Sequence, residues 1–373
     1  MVNEILLKRD LAEHFKIIGL GNKKDDVHSK EDYRQAHSLK RSDNLKKHKK
    51  FLADNWEKLS LFFANGCDID PEKIKVRLEV VDTKNISNDI FRLATLNWSI
   101  PVSQGYGRRM RFLVWDDSNN KIIGIFALGD AVFNLKVRDD LIQWNSEQRK
   151  KTMVNVMDAF ILGAVPPYSN LLGGKLLASL IKSQEVAYLF REKYKSSKGI
   201  ISNDYKDPYL SLVTVTSALG RSSIYNRLTL NGDKIFEKIG STSGYGHFQF
   251  SDELFQQMVL FLNQNNFETF GLSDFGSGPN WKFRIIRKAL KKLNLNYNLI
   301  NHGFTREVYV SKIAENAFDM LNGNCKEPNY KNLRKINEIA DLAKARWILP
   351  RAQRDFSYKQ YTKDLFINNI QNG

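Results

Sequence analysis

Gly173, Gly174 and Lys175 are placed to do chemistry in this chain of 373 residues. They close the stretch Gly163-Ala-Val-Pro-Pro-Tyr-Ser-Asn-Leu-Leu-Gly-Gly-Lys175, which joins an apolar, strand-like run (153–165) to a helical run (176–194). A strand that breaks at two prolines and opens a helix through two glycines presents backbone N–H groups at the helix start. There the dipole favours an anion, and glycine allows close approach. A pyrophosphate fits such a cradle. The same residues also suit an ordinary strand-to-helix turn with a packing glycine pair, because short glycine motifs are weakly specific.

A second group of candidates is acidic. Asp130, Asp139, Asp140 and Asp158 gather around the strand-like runs with Arg138 among them, and Asp158 lies inside an otherwise apolar run. Burying a lone carboxylate is costly, so Asp158 must meet an arginine, a metal or backbone donors. A structural ion pair with Arg138 or Arg221 meets that need. So does a divalent-metal nuclease or transposase site in which Asp130, Asp158 and Glu307 supply oxygen ligands. Tyr225 follows Arg221 by one helical turn and has the type and place of a proton donor, and Arg221 would hold a phosphate or depress the phenol pKa. Tyrosine in a short amphipathic helix also commonly packs in a core. His247 and His302 each adjoin a glycine, which suits either a general base near neutral pH or a hydrogen-bonded turn. Two cysteines, Cys67 and Cys325, support neither a disulfide framework nor a cysteine-rich zinc site.

The elements that must position these groups form a mixed α/β pattern. Runs 109–115 and 121–128 are rich in β-formers and are joined by the turn signal Asp116-Asp-Ser-Asn-Asn120. Run 209–216 reads as a buried strand and 221–228 as a short helix carrying Tyr225. A further strand pair is expected near 234–237 and 245–250. Residues 1–85 read as helical and basic, with a loop at 22–26. Residues 86–255 read as the α/β core, and 256–373 as a C-terminal α/β and helical region. That last region is expected to hold a strand near 269–272, a basic helix, a strand at 307–310 and two terminal helices. Neither a low-complexity linker nor a clean repeat marks the borders, so the three regions are expected to share interfaces.

Hairpin, strand, glycine turn, helix, strand, tyrosine-bearing helix and return strand is an order that resembles the GNAT acyltransferase superfamily. The resemblance implies a GNAT-like mixed sheet in which Gly173, Gly174 and Lys175 hold the pyrophosphate of a coenzyme A derivative and Tyr225 protonates the departing thiolate. Ahead of the glycines the chain has Tyr168-Ser-Asn170 where that superfamily carries arginine or glutamine. A more specific resemblance is to the DruA family of Druantia anti-phage systems. It is carried by Gly105-Tyr-Gly-Arg-Arg-Met-Arg-Phe-Leu113, Asn155-Val-Met-Asp-Ala-Phe160, Leu162-Gly-Ala-Val-Pro-Pro-Tyr168, Thr216-Ser-Ala-Leu-Gly-Arg-Ser-Ser-Ile-Tyr-Asn-Arg-Leu228, Gly278-Pro-Asn-Trp281, His302-Gly303 with Arg306-Glu307, and Pro350-Arg-Ala352. These phrases fall within residues 60–352, with Ser169 where asparagine is expected. The resemblance implies an anti-phage defence protein that works beside other Druantia proteins, in a family also met in transposon-like neighbourhoods. It leaves three chemistries open: acyl transfer to a base, metal-dependent cleavage or transposase-like transfer of DNA strands, and DNA binding without catalysis.

Charge points to the partner. Lys+Arg 57 against Asp+Glu 41 gives +16 and a pI near 9.6, and a polyanion such as DNA is the natural counterpart. An AT-rich genome would also enrich lysine, so clustering matters. Residues 40–50 hold Lys40, Arg41, Lys46, Lys47, Lys49 and Lys50 against the single acid Asp43. In 281–293, Phe283, Ile286, Leu290 and Leu293 recur at spacings of three or four. They leave Lys282, Arg284, Arg287, Lys288, Lys291 and Lys292 without an intervening acid. This helix is expected to bury one side and offer the other to phosphates. A third basic stretch, 344–354, carries Arg351, with Trp347 expected in the core. No apolar run approaches the ~18 residues of a membrane span. The N-terminus lacks the apolar core of a signal peptide, so a cytoplasmic location is expected.

Overall fold

Seven strands make one mixed sheet in the computed structural model, which describes residues 3–17, 29–102, 107–198, 205–242, 244, 246–247, 249–265 and 281–371. They are β1 (Val76–Val80), β2 (Arg109–Asp116), β3 (Lys121–Asp130), β4 (Val156–Ala164), β5 (Leu212–Thr216), β6 (Glu237–Ser241) and β7 (Glu307–Lys312). Their order across the sheet is β1-β2-β3-β4-β5-β7-β6. Every neighbouring pair is antiparallel except β4 and β5. The central strands are buried on both sides and accordingly read as near-continuous apolar runs, as in Ile122 to Leu128 of β3. The β2–β3 turn forms where expected. Asp116 accepts from the Ser118 amide and hydroxyl, and Asn120 takes the left-handed conformation that asparagine tolerates (φ 56°).

Helices cover both faces. Among the described residues they are α1 (Glu4–Ile17), α2 (Lys30–Leu59), α3 (Ile86–Thr95), α4 (Lys136–Ile142), α5 (Ser146–Thr152), α6 (Gly173–Leu180), α7 (Gln184–Tyr194), α8 (Asp252–Gln264), α9 (Trp281–Lys292), α10 (Ala317–Leu321), α11 (Ile336–Ala343), α12 (Leu349–Arg354) and α13 (Lys363–Gln371). On one face Phe112, Phe126, Met157 and Tyr309 pack with α6, α7 and α11. On the other, Leu113, Trp115, Ile125 and Ile161 pack with α2, α3 and α13. A separate core joins Leu7, Leu11 and Phe15 of α1 to Leu254 and Met258 of α8 and to Ile286 and Leu290 of α9.

The parallel pair is short. Val156 to Asp158 register with Leu212 to Thr214, after which β4 runs on to Ala164 with β3 as its only described partner while β5 pairs with β7. The two strands therefore part at Asp158.

Several sequence expectations need correction. The helical N-terminal region also contributes a strand, β1, whose Val76, Leu78 and Val80 alternate with Arg77 and Glu79 in a short edge pattern. The helix expected over 176–194 is two helices, because Ser183 caps α7 by accepting from the Val186 amide and bridges to Arg334. The segment 221–228 is a run of turns, since the Ser222 hydroxyl takes the amides of Ile224 and Tyr225, and Arg227 adopts φ 61°. Residues 249–250, expected in a strand, form a turn and a bend. Tyr245 and Phe248, the loop at 22–26, the strand near 269–272, and the motif residues Gly105, Tyr106 and Gly278 to Asn280 lie outside the described residues. Among the described residues no helix is long and apolar enough to cross a membrane.

Candidate functional site

The point where β4 and β5 part gathers the polar groups of the core. Thr214 Oγ1 donates to Asp158 Oδ1 at 2.7 Å. Asp158 keeps some exposed surface, but enclosure of its carboxyl pushes the pKa up to about 6, against the pull of the Thr214 hydrogen bond and of Arg138 and Arg306. Tyr225 is buried, with its ring 5.2 Å from that of Phe236 and 5.5 Å from that of Tyr309. Burial raises its phenol, and the charges of Asp158 and Tyr309 add to the rise. Arg306 enters from the start of β7. Its Nε is buried without a hydrogen-bond partner among the described residues, and its charge acts on Tyr33 and Asp158.

The expected ion pairs of Asp158 do not form. Arg138 is fully buried and donates to Asp139 (2.6 Å), the Val132 carbonyl (2.8 Å) and the Phe133 carbonyl (3.0 Å), and Arg149 closes the group on Asp139 (2.8 Å). Arg221 is exposed. The Asn226 carboxamide oxygen, in the orientation that satisfies its hydrogen bonds, accepts from it at 3.1 and 3.2 Å. Arg221 therefore neither binds Asp158 nor depresses the Tyr225 phenol.

The acids of the metal alternative do not converge. Gly129 pairs with Asp158, so Asp130, one step along β3, points to the opposite face. There it takes the Arg108 guanidinium at 2.8 Å and the Arg108 amide at 2.9 Å. Glu307 is occupied by Lys238 at 2.5 Å and by the Tyr309 hydroxyl. No group of three or more His, Cys, Asp or Glu side chains that could hold a metal exists among the described residues. Sequence spacing put these acids near one sheet but carried no information on which face each would take.

The glycine turn is more self-contained than expected. Tyr168 is buried and donates to Asp116 at 2.8 Å, while Asn119 donates to its hydroxyl at 2.9 Å. The Gly173 amide is taken by the Tyr168 carbonyl and the Lys175 amide by the Leu172 carbonyl, both at 2.9 Å. Of the three amides expected to be free, only that of Gly174 lacks an acceptor among the described residues. A Cβ at Gly173 would lie 2.7 Å from the Tyr168 carbonyl oxygen, so this position needs glycine for packing alone. The Lys175 ammonium lies 5.7 Å from the ring centroid of Trp347, which is buried as expected. Arg351 donates to the Asn170 carbonyl at 3.2 Å and pairs with Asp355 at 2.6 Å, so it braces this turn and stands apart from the other candidate DNA contacts.

Two of the segments that carry those other cations meet at Asp252. α9 buries Ile285, Ile286, Ala289 and Leu290 and exposes Arg284, Arg287, Lys288, Lys291 and Lys292. α2 exposes Lys46, Lys47, Lys49 and Lys50. Asp252, the first residue of α8, joins the two, with Lys47 of α2 at 2.7 Å and Lys282 of α9 at 3.6 Å. Lys282 thus faces a carboxylate, although the sequence placed it among cations with no acid near. Lys40 keeps exposed surface, but crowding around its ammonium and the positive charges of Lys282 and Lys47 push its pKa down, against the pull of Asp252. His247 packs edge-on to Phe283 at 4.8 Å, and burial with the charges of Lys40 and Lys282 pushes it down to about 4. It is therefore neutral at pH 7 and belongs with the cationic surface, apart from Asp158 and Tyr225. His302 is buried in a turn, where its Nδ1 accepts from the Phe304 amide at 3.1 Å. Asp252, Thr214 and Arg306 escaped the sequence reading of the site because single residues outside any periodic pattern give no local signal.

Two comparisons with known proteins extend over most of the chain. The sequence model of the family described as Druantia protein DruA matches residues 27–323. A curated relative, Druantia protein DruA of Escherichia coli (strain UMEA 4076-1), is 42% identical over 377 residues, covering 98% of this chain and 92% of the relative. No solved structure matches the chain. On the breadth of both sequence matches, the chain belongs to the DruA family of Druantia anti-phage defence proteins.

Proposed function

We propose that this chain is a DNA-engaging member of its Druantia system and works beside other Druantia proteins, gripping DNA phosphates with the cationic faces of α2 and α9. One observation carries the reading: Asp252 brings Lys47 and Lys282 together, so two basic segments far apart in sequence form one surface. The net charge of +16 supports it. Each phosphate neutralised on duplex DNA contributes about 0.9 to the log–log salt slope of binding. Changing Lys288, Lys291 and Lys292 together to glutamine is expected to lower that slope by about 2 to 3. Fluorescence anisotropy across a salt series measures it, and an unchanged slope would remove α9 from the interface.

Acyl transfer is a second reading, favoured by the strand order β1-β2-β3-β4-β5-β7-β6 with one parallel pair, and by a helix that leaves β4 through a glycine turn. In this reading Gly174 and Lys175 lie against the pyrophosphate of a coenzyme A derivative. Asp158, whose pKa of about 6 lies near working pH, takes a proton from the attacking nucleophile, and Tyr225 returns one to the thiolate.

A further inference from the structure

An open cavity of about 470 Å³ lies where α2, α8 and α9 meet, inside the cationic surface. Its lining differs from a plain phosphate grip. Trp281 and Phe255 stand edge to face, 5.4 Å between centroids, and the Lys282 ammonium lies 5.0 Å from the Phe255 ring centre and 5.8 Å from that of Trp281. Trp281 is partly exposed. Glu253 and Gln256 stand three residues apart on α8 and so share a side, and both line the cavity. They supply an acceptor-only carboxylate and a carboxamide that both donates and accepts.

We propose that this cavity takes one unpaired nucleobase of a DNA strand, stacked on Trp281 and read at its edge by Glu253 and Gln256, with the adjoining phosphate on Lys47 and Lys282. The inference rests on the DNA-binding reading above and adds strandedness to it. Aromatic faces suit the π-face of a base, which a duplex hides inside its stack, so only a single strand or an extruded base can use them. The phosphate has a place at the ammonium groups of Lys47 and Lys282, which flank the Asp252 carboxylate at 2.7 and 3.6 Å at the rim of the cavity. Exposed cations stand further along both helices, at Lys46 and Lys50 beside Lys47 on α2 and at Arg284, Lys288 and Lys291 on the Trp281 side of α9. Such a track fits a strand passing through better than it fits a free nucleotide.

Anisotropy with the full-length chain tests the inference on four probes of one sequence: a single DNA strand, that strand with abasic sites, its duplex, and the RNA strand. The intact DNA strand is expected to bind more tightly than the abasic strand by about five- to a hundredfold, the range that stacking of one base contributes. It should also bind more tightly than the duplex. Trp281→Ala should erase the gap between intact and abasic strands while leaving the salt slope in place, and Trp281→Phe should keep most of it. Equal binding of intact and abasic strands by the wild-type chain overturns the inference and leaves phosphate binding standing. Tighter binding of the RNA strand overturns the assignment to DNA. Absence of binding to every probe overturns the inference together with the DNA-binding reading beneath it.

Discussion

Among the described residues the Asp158 carboxyl takes its hydrogen bond from Thr214, and enclosure lifts its pKa from 3.8 to about 6. The folded chain therefore binds a proton between about pH 4 and pH 6 that the unfolded chain does not. The contribution of this one group to stability is most favourable below this window, falls as pH rises through it, and carries the full cost of the buried charge above it. Asp158→Asn removes the charge and keeps both the shape and an oxygen for Thr214. It is expected to raise stability by about 1–3 kcal/mol at pH 8 and to change little at pH 4. Denaturant unfolding at the two pH values measures this. A less stable variant at pH 8 would mean that the carboxylate is engaged by a cation, with Arg138 and Arg306 the candidates by charge. The cost of burying an acid was legible from the apolar run around Asp158. Its actual partner was not, because Thr214 meets it only through the parallel register of β4 and β5.

At the scale of the element, the glycine turn separates packing from binding. Gly173→Ala drives a Cβ to 2.7 Å from a backbone oxygen that cannot yield cheaply, whereas at Gly174 it meets the flexible end of Ile224 at 3.3 Å. The first change is expected to cost about 1–3 kcal/mol or more, as overpacking does, and the second less than about 1 kcal/mol. Chemical denaturation of the two variants compares them directly. The acyl-transfer reading adds a ligand arm. Coenzyme A at about millimolar concentration should raise the wild-type melting temperature by mass action and leave Gly174→Asp unmoved, since that carboxylate would stand against the pyrophosphate. If coenzyme A moves neither protein, acyl transfer fails and the turn is structural. The strand, turn and helix were visible as a sequence pattern. That two of the three amides are spent inside the turn was not, because the acceptors depend on how the chain folds back after Pro167.

Across the whole molecule, the sheet draws β1 from the first sequence region, β2 to β6 from the second and β7 from the third. β7 lies between β5 and β6, so a chain ending at residue 255 would leave β6 without a described strand partner and expose an edge of β5. It would also strip α1 of the α9 part of its core. Such a truncated chain is expected to show no cooperative thermal transition, unlike the full chain. Circular dichroism melting checks this, and a sharp transition at residue 255 would show that the sheet closes without β7.

Features set by neighbours within a few residues were legible in the sequence. The β2–β3 hairpin follows from two apolar runs around Asp116-Asp-Ser-Asn-Asn120. The cationic side of α9 follows from apolar residues recurring every three or four positions, and the place of Trp347 follows from the same periodicity. That Asp130 and Asp158 take opposite faces came from the folded sheet, because a strand changes face at every residue and register with distant strands sets the phase. The fold alone brought Lys47 and Lys282 to Asp252, and Arg306 to the parting of β4 and β5. Contacts between residues far apart in sequence are made by packing of whole elements, and local spacing does not encode them.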